Sequence, residues 1–391
     1  MVEDRILACH AIRDVDFTRG ENCWLQDARG RRWLDLESGS WSAILGHAHP
    51  RINRALKEGI DRVIHLNVRY PNRAAEEAAE RVLAAVGLPD GKCVFLTSGS
   101  EAVEFAVQAV RRLTGRPFLV TLAHSYLGAL GSAGRKDPRE WILVDPKLSG
   151  SGAGPRLPEG TSLDAVGGFV FEPGGGSPDF GRFPPAARVR DLAARVRANG
   201  GLVVSNEVTT GLGRTGLWFG FQHYGIRPDV VALGKALGNG YPVSAVAFSQ
   251  DAARGLEAAG FHHAQSHQNN PLGCAAAREV LDTLRQEGWI ERGAETGASF
   301  LEGLRRVRDR HPEIRDVRGR GMLLALELDP GCGLDGYGLY ERLWERGFIS
   351  GYYPAGCPYG TGLRFDPALT LEREHLDRFL EELDRALTTD R

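Results

Sequence analysis

The chain has 391 residues, 42% of them hydrophobic and 25% charged, and a formal net charge of -2. That length can bury a large core in two or three domains with a cleft between them. The balanced charge, with Arg-Arg pairs only at 31–32, 111–112 and 305–306, excludes the basic footprint of a nucleic-acid binder. No apolar run approaches the roughly 20 residues that span a bilayer, and the opening MVEDRILACH lacks the pattern of a secretory signal. The six cysteines are far apart and show no C-x-x-C spacing, so the expectation is a soluble cytoplasmic protein with reduced, mostly buried thiols.

The first 45 or so residues carry a β-like pair, 23–26 and 32–36, split by the turn-like Asp27-Ala28-Arg29-Gly30. His47 and His49, in Gly-His-Ala-His-Pro, look like a metal pair but read as a turn at a domain junction, and no metal is expected. Short β-rich runs then alternate with helical patterns, at 93–97, 118–122, 142–145, 168–171, 202–205, 230–233 and 243–248. They lack strict polar alternation, which predicts a parallel sheet buried on both faces. After the first run, Ser98-Gly99-Ser100-Glu101 has capping-box spacing ahead of a helical run over 102–113. A strand leading into a helix start makes an anion site. The Gly-rich stretches 148–154 and 174–176 read as loops. From Pro271 the pattern changes to helices over 271–286 and 290–309, a strand near 322–328 and helices near 337–346 and 372–387, a smaller α+β unit.

Only five lysines occur, and one suits covalent chemistry. Lys57 sits on an amphipathic helical run, Lys92 follows a turn, and Lys136 and Lys147 lie in polar loops. Lys235 directly follows the apolar run 230–233 and is enclosed by Gly234, Gly238 and Gly240, which permit tight turns and the close approach of a flat ligand.

Around that lysine, Ser205-Asn206-Glu207-Val208-Thr209-Thr210-Gly211-Leu212-Gly213-Arg214-Thr215-Gly216, then Pro228-Asp229 and Leu233-Gly234-Lys235-Ala236-Leu237-Gly238, closely resemble the class III (ornithine and ω-amino acid) aminotransferases. Leu45-Gly46-His47-Ala48-His49-Pro50, Ser98-Gly99-Ser100-Glu101-Ala102-Val103-Glu104, Glu172-Pro173, Asn270-Pro271-Leu272 and Leu363-Arg364-Phe365 follow in the family's order. The resemblance implies an α/β enzyme of the pyridoxal 5'-phosphate (PLP) dependent transferase fold type I. That fold has a large domain with a mostly parallel seven-stranded sheet and a smaller α+β domain, placed here at 46–285 and 286–391, with 1–45 packing against the small domain. It implies an aminotransferase acting on an amino acid or amine, with Lys235 holding PLP in an internal imine and moving the Cα proton.

By the same resemblance Gly99 and Ser100 cradle the phosphate, joined by Ser266 of a neighbouring subunit, which implies a homodimer with shared active sites. Tyr126 and Val208 pack on the two faces of the pyridine ring. Arg364 takes the substrate carboxylate, Trp41 contacts substrate, and Glu207 and Arg214 support the site.

The pattern also departs from the family. Asn206 stands where relatives place the Asp that keeps the pyridine nitrogen protonated, and an amide carries no charge to do this. A hydrogen bond to a charged group is worth about 1.5–3 kcal/mol, so its loss lowers that nitrogen's pKa by roughly one to two units. Thr209 replaces a Gln that partners the phenolic oxygen, and Glu172-Pro173 leads into Gly174-Gly175-Gly176-Ser177 where ornithine-type enzymes have a second acid. Leu127-Gly128 stands for His-Gly, and the segment from Tyr126 to Glu172 is short. Asn206 therefore keeps a second reading open: the same fold with epimerisation, or β/γ-elimination or replacement, in specialised biosynthesis.

Overall fold

The computed structural model describes residues 7, 9–145, 162–176, 180–358 and 360–388. The stretch 148–154, Lys147 and Ser177 lie outside them. Strands β1 (Phe17–Glu21), β2 (Trp24–Asp27) and β3 (Arg32–Asp35) form an antiparallel meander. The turn between β2 and β3 forms because Asp27 Oδ1 accepts the N–H groups of Arg29 and Arg31 while Gly30 takes φ +85°. Helices α1 (Pro50–Arg62) and α2 (Arg73–Val86) follow.

The central unit runs β4 (Lys92–Leu96), α3 (Gly99–Thr114), β5 (Phe118–Leu122), β6 (Trp141–Val144), β7 (Val166–Phe171), α4 (Ala186–Ala198), β8 (Leu202–Asn206), β9 (Val230–Leu233), β10 (Ser244–Phe248) and α5 (Gln250–Ala258). All seven apolar runs of the sequence become strands of one sheet, ordered β4-β10-β9-β8-β7-β5-β6. Its pairs are parallel except those of β10, which runs antiparallel to both neighbours. The missing polar alternation now has its cause. Val203 and Val231 enter a core shared with α2, α4 and α6 (Pro271–Gln286), while Val204 and Val230 enter another shared with α3 and α5. Each such side chain contributes about 1.5–3 kcal/mol on burial, so both faces are predominantly apolar.

After α6 come α7 (Trp289–Arg308), β11 (Ile314–Arg320), β12 (Leu323–Leu328), α8 (Gly336–Glu345), β13 (Phe348–Ile349), β14 (Gly351–Tyr353), β15 (Thr361–Phe365) and α9 (Arg373–Thr388). Strands β11-β12-β15-β14 make an antiparallel sheet, while β13 pairs in parallel with β3, stitching the N-terminal meander to the C-terminal unit. Among the described residues no helix is long and apolar enough to cross a membrane. The thiols are less hidden than expected: Cys23 and Cys274 are buried, Cys93, Cys332 and Cys357 are half-buried, and Cys9 is exposed.

Candidate active site

Strand β9 ends one residue before Gly234, and Lys235 then takes a left-handed φ of 44°, a strained geometry for a side chain of its size. A Cβ on Gly234 would lie 3.1 Å from Gly99 Cα, so the end of β9 touches the start of α3 backbone to backbone. Lys235 Nζ sits 4.1 Å from the centre of the Trp41 ring and makes no ion pair or hydrogen bond among the described residues. Burial pushes its pKa down to about 8, with Glu172 pulling up and Arg364 pushing further down. Near neutral pH a useful fraction of this amine is unprotonated and able to attack an aldehyde.

At the start of α3 the expected capping box is present. Ser98 Oγ accepts the Glu101 N–H, and Glu101 Oε2 accepts those of Ser98 and Thr97. The N–H groups of Gly99 and Ser100 are left without acceptors among the described residues, at the positive end of a 16-residue helix. Two free N–H groups on a dipole suit a phosphate. A Cβ at Gly99 would come within 2.6 Å of Val208 Cγ1, so only glycine allows Val208 to pack here. Ser100 Oγ accepts the Ala129 N–H at 3.0 Å, fixing the loop that carries Tyr126, itself 44% exposed.

Beyond β8, Asn206 donates from Nδ2 to the Tyr126 carbonyl at 2.9 Å, and its Oδ1 accepts the Val208 N–H at 3.2 Å. Thr209 Oγ1 lies 2.9 Å from Glu172 Oε1, and Glu172 Oε2 accepts the Tyr126 N–H. Burial raises the Glu172 pKa despite these contacts. Glu172 stood in the sequence only as half of a Glu-Pro motif; its carboxyl joins Thr209 to the Tyr126 loop. The run Gly174–Gly176 wraps it closely, since a Cβ at Gly176 would fall 2.3 Å from Glu172 Oε1. Glu207 is spent on structure, accepting from Ser205, Thr210, Gly220 and Phe221. Arg214 likewise ties the loop after β8 to the Met322 and Pro367 carbonyls and to Ser38 Oγ.

Arg364, on β15, stacks on Trp41 at 3.7 Å, so the arginine and Lys235 share one aromatic ring. Arg364 is not a bare cation: Nε donates to Asp366 at 2.6 Å and Nη2 to Glu37 at 2.7 Å. A Cβ at Gly351 would meet the guanidinium at 2.7 Å, which is why β14 carries glycine opposite it. Glu37 carried no signal in the sequence. It precedes four residues with positive φ, Ser38, Gly39, Ser40 and Trp41. Each left-handed non-glycine costs on the order of 1–2 kcal/mol. The turn is held by Asp35, whose two oxygens accept the N–H groups of Glu37 and Gly39. Asp35 also binds His47 Nε2 at 2.8 Å, giving that histidine a structural partner. Ser266 is exposed in the turn ahead of α6 and is not joined to these residues by any hydrogen bond. A cavity of about 930 Å³ lined by Asn22, His47 and Leu371 lies off this cluster, so the chemistry has to be placed by its functional groups.

The lysine, the vacant helix N–H groups and the glycine contact between them fit pyridoxal phosphate. The aminotransferase class-III family model matches residues 9–133 and 159–387. An acetylornithine aminotransferase of Methanothermobacter thermautotrophicus is 29% identical over 98% of the chain and 96% of that enzyme. An ornithine aminotransferase of Bordetella pertussis is 33% identical over 96% and 91%. Among solved structures, an (S)-enantioselective ω-transaminase from Thermomicrobium roseum superposes with a TM-score of 0.83 at 28% identity over 96% and 92%. An S-selective transaminase from Arthrobacter, at 24% identity, shares the fold with a TM-score of 0.87 over 97% and 94%. The chain belongs to the class III aminotransferases, enzymes of fold type I that work with pyridoxal 5'-phosphate.

Proposed function

We propose that this enzyme moves an amino group from an amino acid or amine to a carbonyl acceptor, with Lys235 as the residue that carries the cofactor and shuttles the proton. The single observation that carries this reading is the half-buried Lys235, its Nζ without an ion partner among the described residues, directly after Gly234, which touches the start of a helix whose first two N–H groups are unpaired. When bound, pyridoxal phosphate supplies the aldehyde that takes up the substrate amine and the ring that draws electrons from its Cα. Gly99 and Ser100 would bind the phosphate through their N–H groups, with Ser266 reaching in from a second subunit. Tyr126 and Val208 would hold the ring flat, with Asn206 at its nitrogen and Thr209 at its phenolic oxygen. Once displaced by substrate, Lys235 Nζ would take the proton from the substrate Cα and deliver it to the cofactor carbon that had held the lysine, its lowered pKa matching both tasks. Arg364 would receive a substrate carboxylate above Trp41. Glu207 and Arg214 would hold the loop between β8 and β9 in place.

The working form in this reading is a cytoplasmic homodimer, which needs neither nucleic acid nor a membrane. Residues 46–285 form the cofactor domain and 286–391 the small domain, with 1–45 packed on the latter through the β3–β13 pairing. Names of relatives point to ornithine-like amino donors, and the bare glycine run after Glu172 argues for a different second substrate. Half-reactions test the assignment. Mixing the holoenzyme with a panel of amines should bleach the visible absorbance of the lysine-bound cofactor and form its amine state. A band that persists with every donor, with solvent deuterium entering Cα, would instead support the epimerase reading that Asn206 keeps open.

A further inference from the structure

Away from Lys235 the molecule carries two adjoining recesses, set among the N-terminal meander, the start of α1, α7 and the segment leading into α9. The larger, about 930 Å³, has a mostly apolar wall that includes Leu45, Pro50, Leu369, Leu371 and the ring of Trp289. The smaller, about 470 Å³, meets it at Glu21, Asn22 and Glu372 and holds Trp24, Arg32, His375 and Arg378. Volumes of this size suit a small molecule, whose sites run about 300–1,000 Å³.

The charges along these walls do not cancel. Arg19 is met by Glu21 at 3.0 Å and Arg373 by Asp377 at 3.0 Å. Arg32, Arg292 and Arg378 have no acid partner among the described residues, and Glu372 is the one acid on the walls not taken by an arginine. Three arginines against one acid leave an excess of two positive charges here, on a molecule whose formal net charge is -2. His375 adds none: Trp24 Nε1 can only donate, so His375 Nε2, 3.3 Å away, accepts and the imidazole is neutral. Each free arginine lies against an indole. Arg292 is 4.0 Å from the centre of the Trp289 ring, and Arg32 and Arg378 are 4.6 and 5.7 Å from that of Trp24. Two guanidinium groups on one ring repel each other, and an anion bound beside them relieves that repulsion. Trp289 is itself held in place, its Nε1 donating to Glu287 at 2.9 Å.

We propose that these recesses form a second ligand site, which takes a small molecule joining a flat aromatic ring to two or more negative charges, the chemistry of a nucleotide. The ring lies against Trp289 in the larger recess, where the apolar wall favours it, and the phosphates turn toward Arg32 and Arg378 in the smaller one. A purely apolar ligand would leave the arginine excess unanswered, and a bare inorganic anion would leave the apolar wall in water. Neither recess is lined by Lys235, Trp41 or Arg364, so the site stands apart from the lysine chemistry and does not rest on it.

The test titrates the holoenzyme with ADP by calorimetry, at low salt and without divalent cations. ADP should bind with a Kd below about 1 mM, leave the visible absorbance of the cofactor unchanged, and bind more weakly as salt rises. Pyrophosphate, which has the charge without the ring, should bind at least about tenfold more weakly than ADP. Trp289→Leu should erase that preference, and Arg32→Gln combined with Arg378→Gln should weaken both ligands at least about tenfold. Both arginines are exposed, so the double variant carries the test should Trp289→Leu fail to fold. ADP that does not bind, or that binds these variants as well as wild type, overturns the proposal. Pyrophosphate that binds as tightly as ADP overturns it too, since charge alone then suffices. ADP that bleaches the cofactor band belongs to the active site, and an oligothymidylate that binds more than about tenfold tighter than ADP marks a groove for a strand; either result overturns the proposal.

Discussion

Asn206 is 3% exposed and both halves of its amide are committed, the N–H to the Tyr126 carbonyl and the oxygen to the Val208 N–H. A carboxylate can reproduce the second bond and not the first, because it would set an anionic oxygen about 2.9 Å from a carbonyl oxygen. The site is built for an amide, so restoring the family acid is not a simple repair. Asn206→Asp in the apoenzyme should lose about 1–3 kcal/mol at pH 8.5. Burial raises the pKa of the new acid. Its neutral form suits the fold and its ionised form does not, so the deficit should be smallest near pH 5.5 and grow as pH rises through that raised value. Cofactor binding should narrow the gap, since a protonated ring nitrogen would pair with the new charge. Thermal melts of apo and holo forms across this range check it, and an apo variant as stable as wild type at pH 8.5 contradicts it. At this scale the sequence was legible where chemistry sits beside its own punctuation: Lys235 between glycines, Asn206 at the end of an apolar run. Glu37 was not, because what makes it matter is an arginine 327 positions away.

The junction of β4 with α3 depends on the absence of a side chain. A Cβ at Gly99 would approach Val208 Cγ1 and Cγ2 at 2.6 and 2.9 Å, and Val208 is pinned by its N–H bond to Asn206. Gly99→Ala should therefore cost about 1–3 kcal/mol by overpacking, and it should weaken pyridoxal phosphate binding at least about tenfold by shifting the N–H pair. Adding Val208→Ala should restore the melting temperature. Wild-type melting and cofactor titration in Gly99→Ala would show that the contact is not tight. Elements with a local cause were readable: the seven buried strands, and the capping box that starts α3. β11 was not, since Arg315, Asp316, Arg318 and Arg320 break the apolar pattern that marks a strand. Its charges are answered only in three dimensions, where Arg318 pairs with Glu327 on β12 at 2.6 Å and stacks on Phe180. The left-handed turn 38–41 was equally silent, because only Gly39 among its residues favours positive φ and the rest are held there by Asp35 and Arg214.

For the molecule as a whole, the residues from 60 to 70 are the part that a single chain does not explain. Ile60, Val63, Ile64, Val68 and Tyr70 are 52%, 43%, 56%, 43% and 65% exposed within eleven positions, an apolar concentration that a monomer would be expected to cover. The segment is tied to the turn that carries Ser266: Asn270 Nδ2 donates to the Ile64 carbonyl, Asn72 Nδ2 donates to that of Asn269, and the rings of His65 and His267 lie 5.2 Å apart. A second copy docked on this patch would take Ser266 to the interface with it, where its hydroxyl could serve the phosphate site of the other subunit. The proposed dimer thus links assembly to cofactor binding. Ile64→Glu should bury a charge in that interface and shift the protein to monomer on a sizing column. Because Ile64 is exposed within its own chain, the monomer should keep its secondary structure. Its affinity for pyridoxal phosphate should nevertheless fall at least about tenfold, a loss of about 1.4 kcal/mol. A monomeric variant with undiminished cofactor affinity would mean that each chain completes its phosphate site alone, and a variant that remains dimeric would place the interface elsewhere.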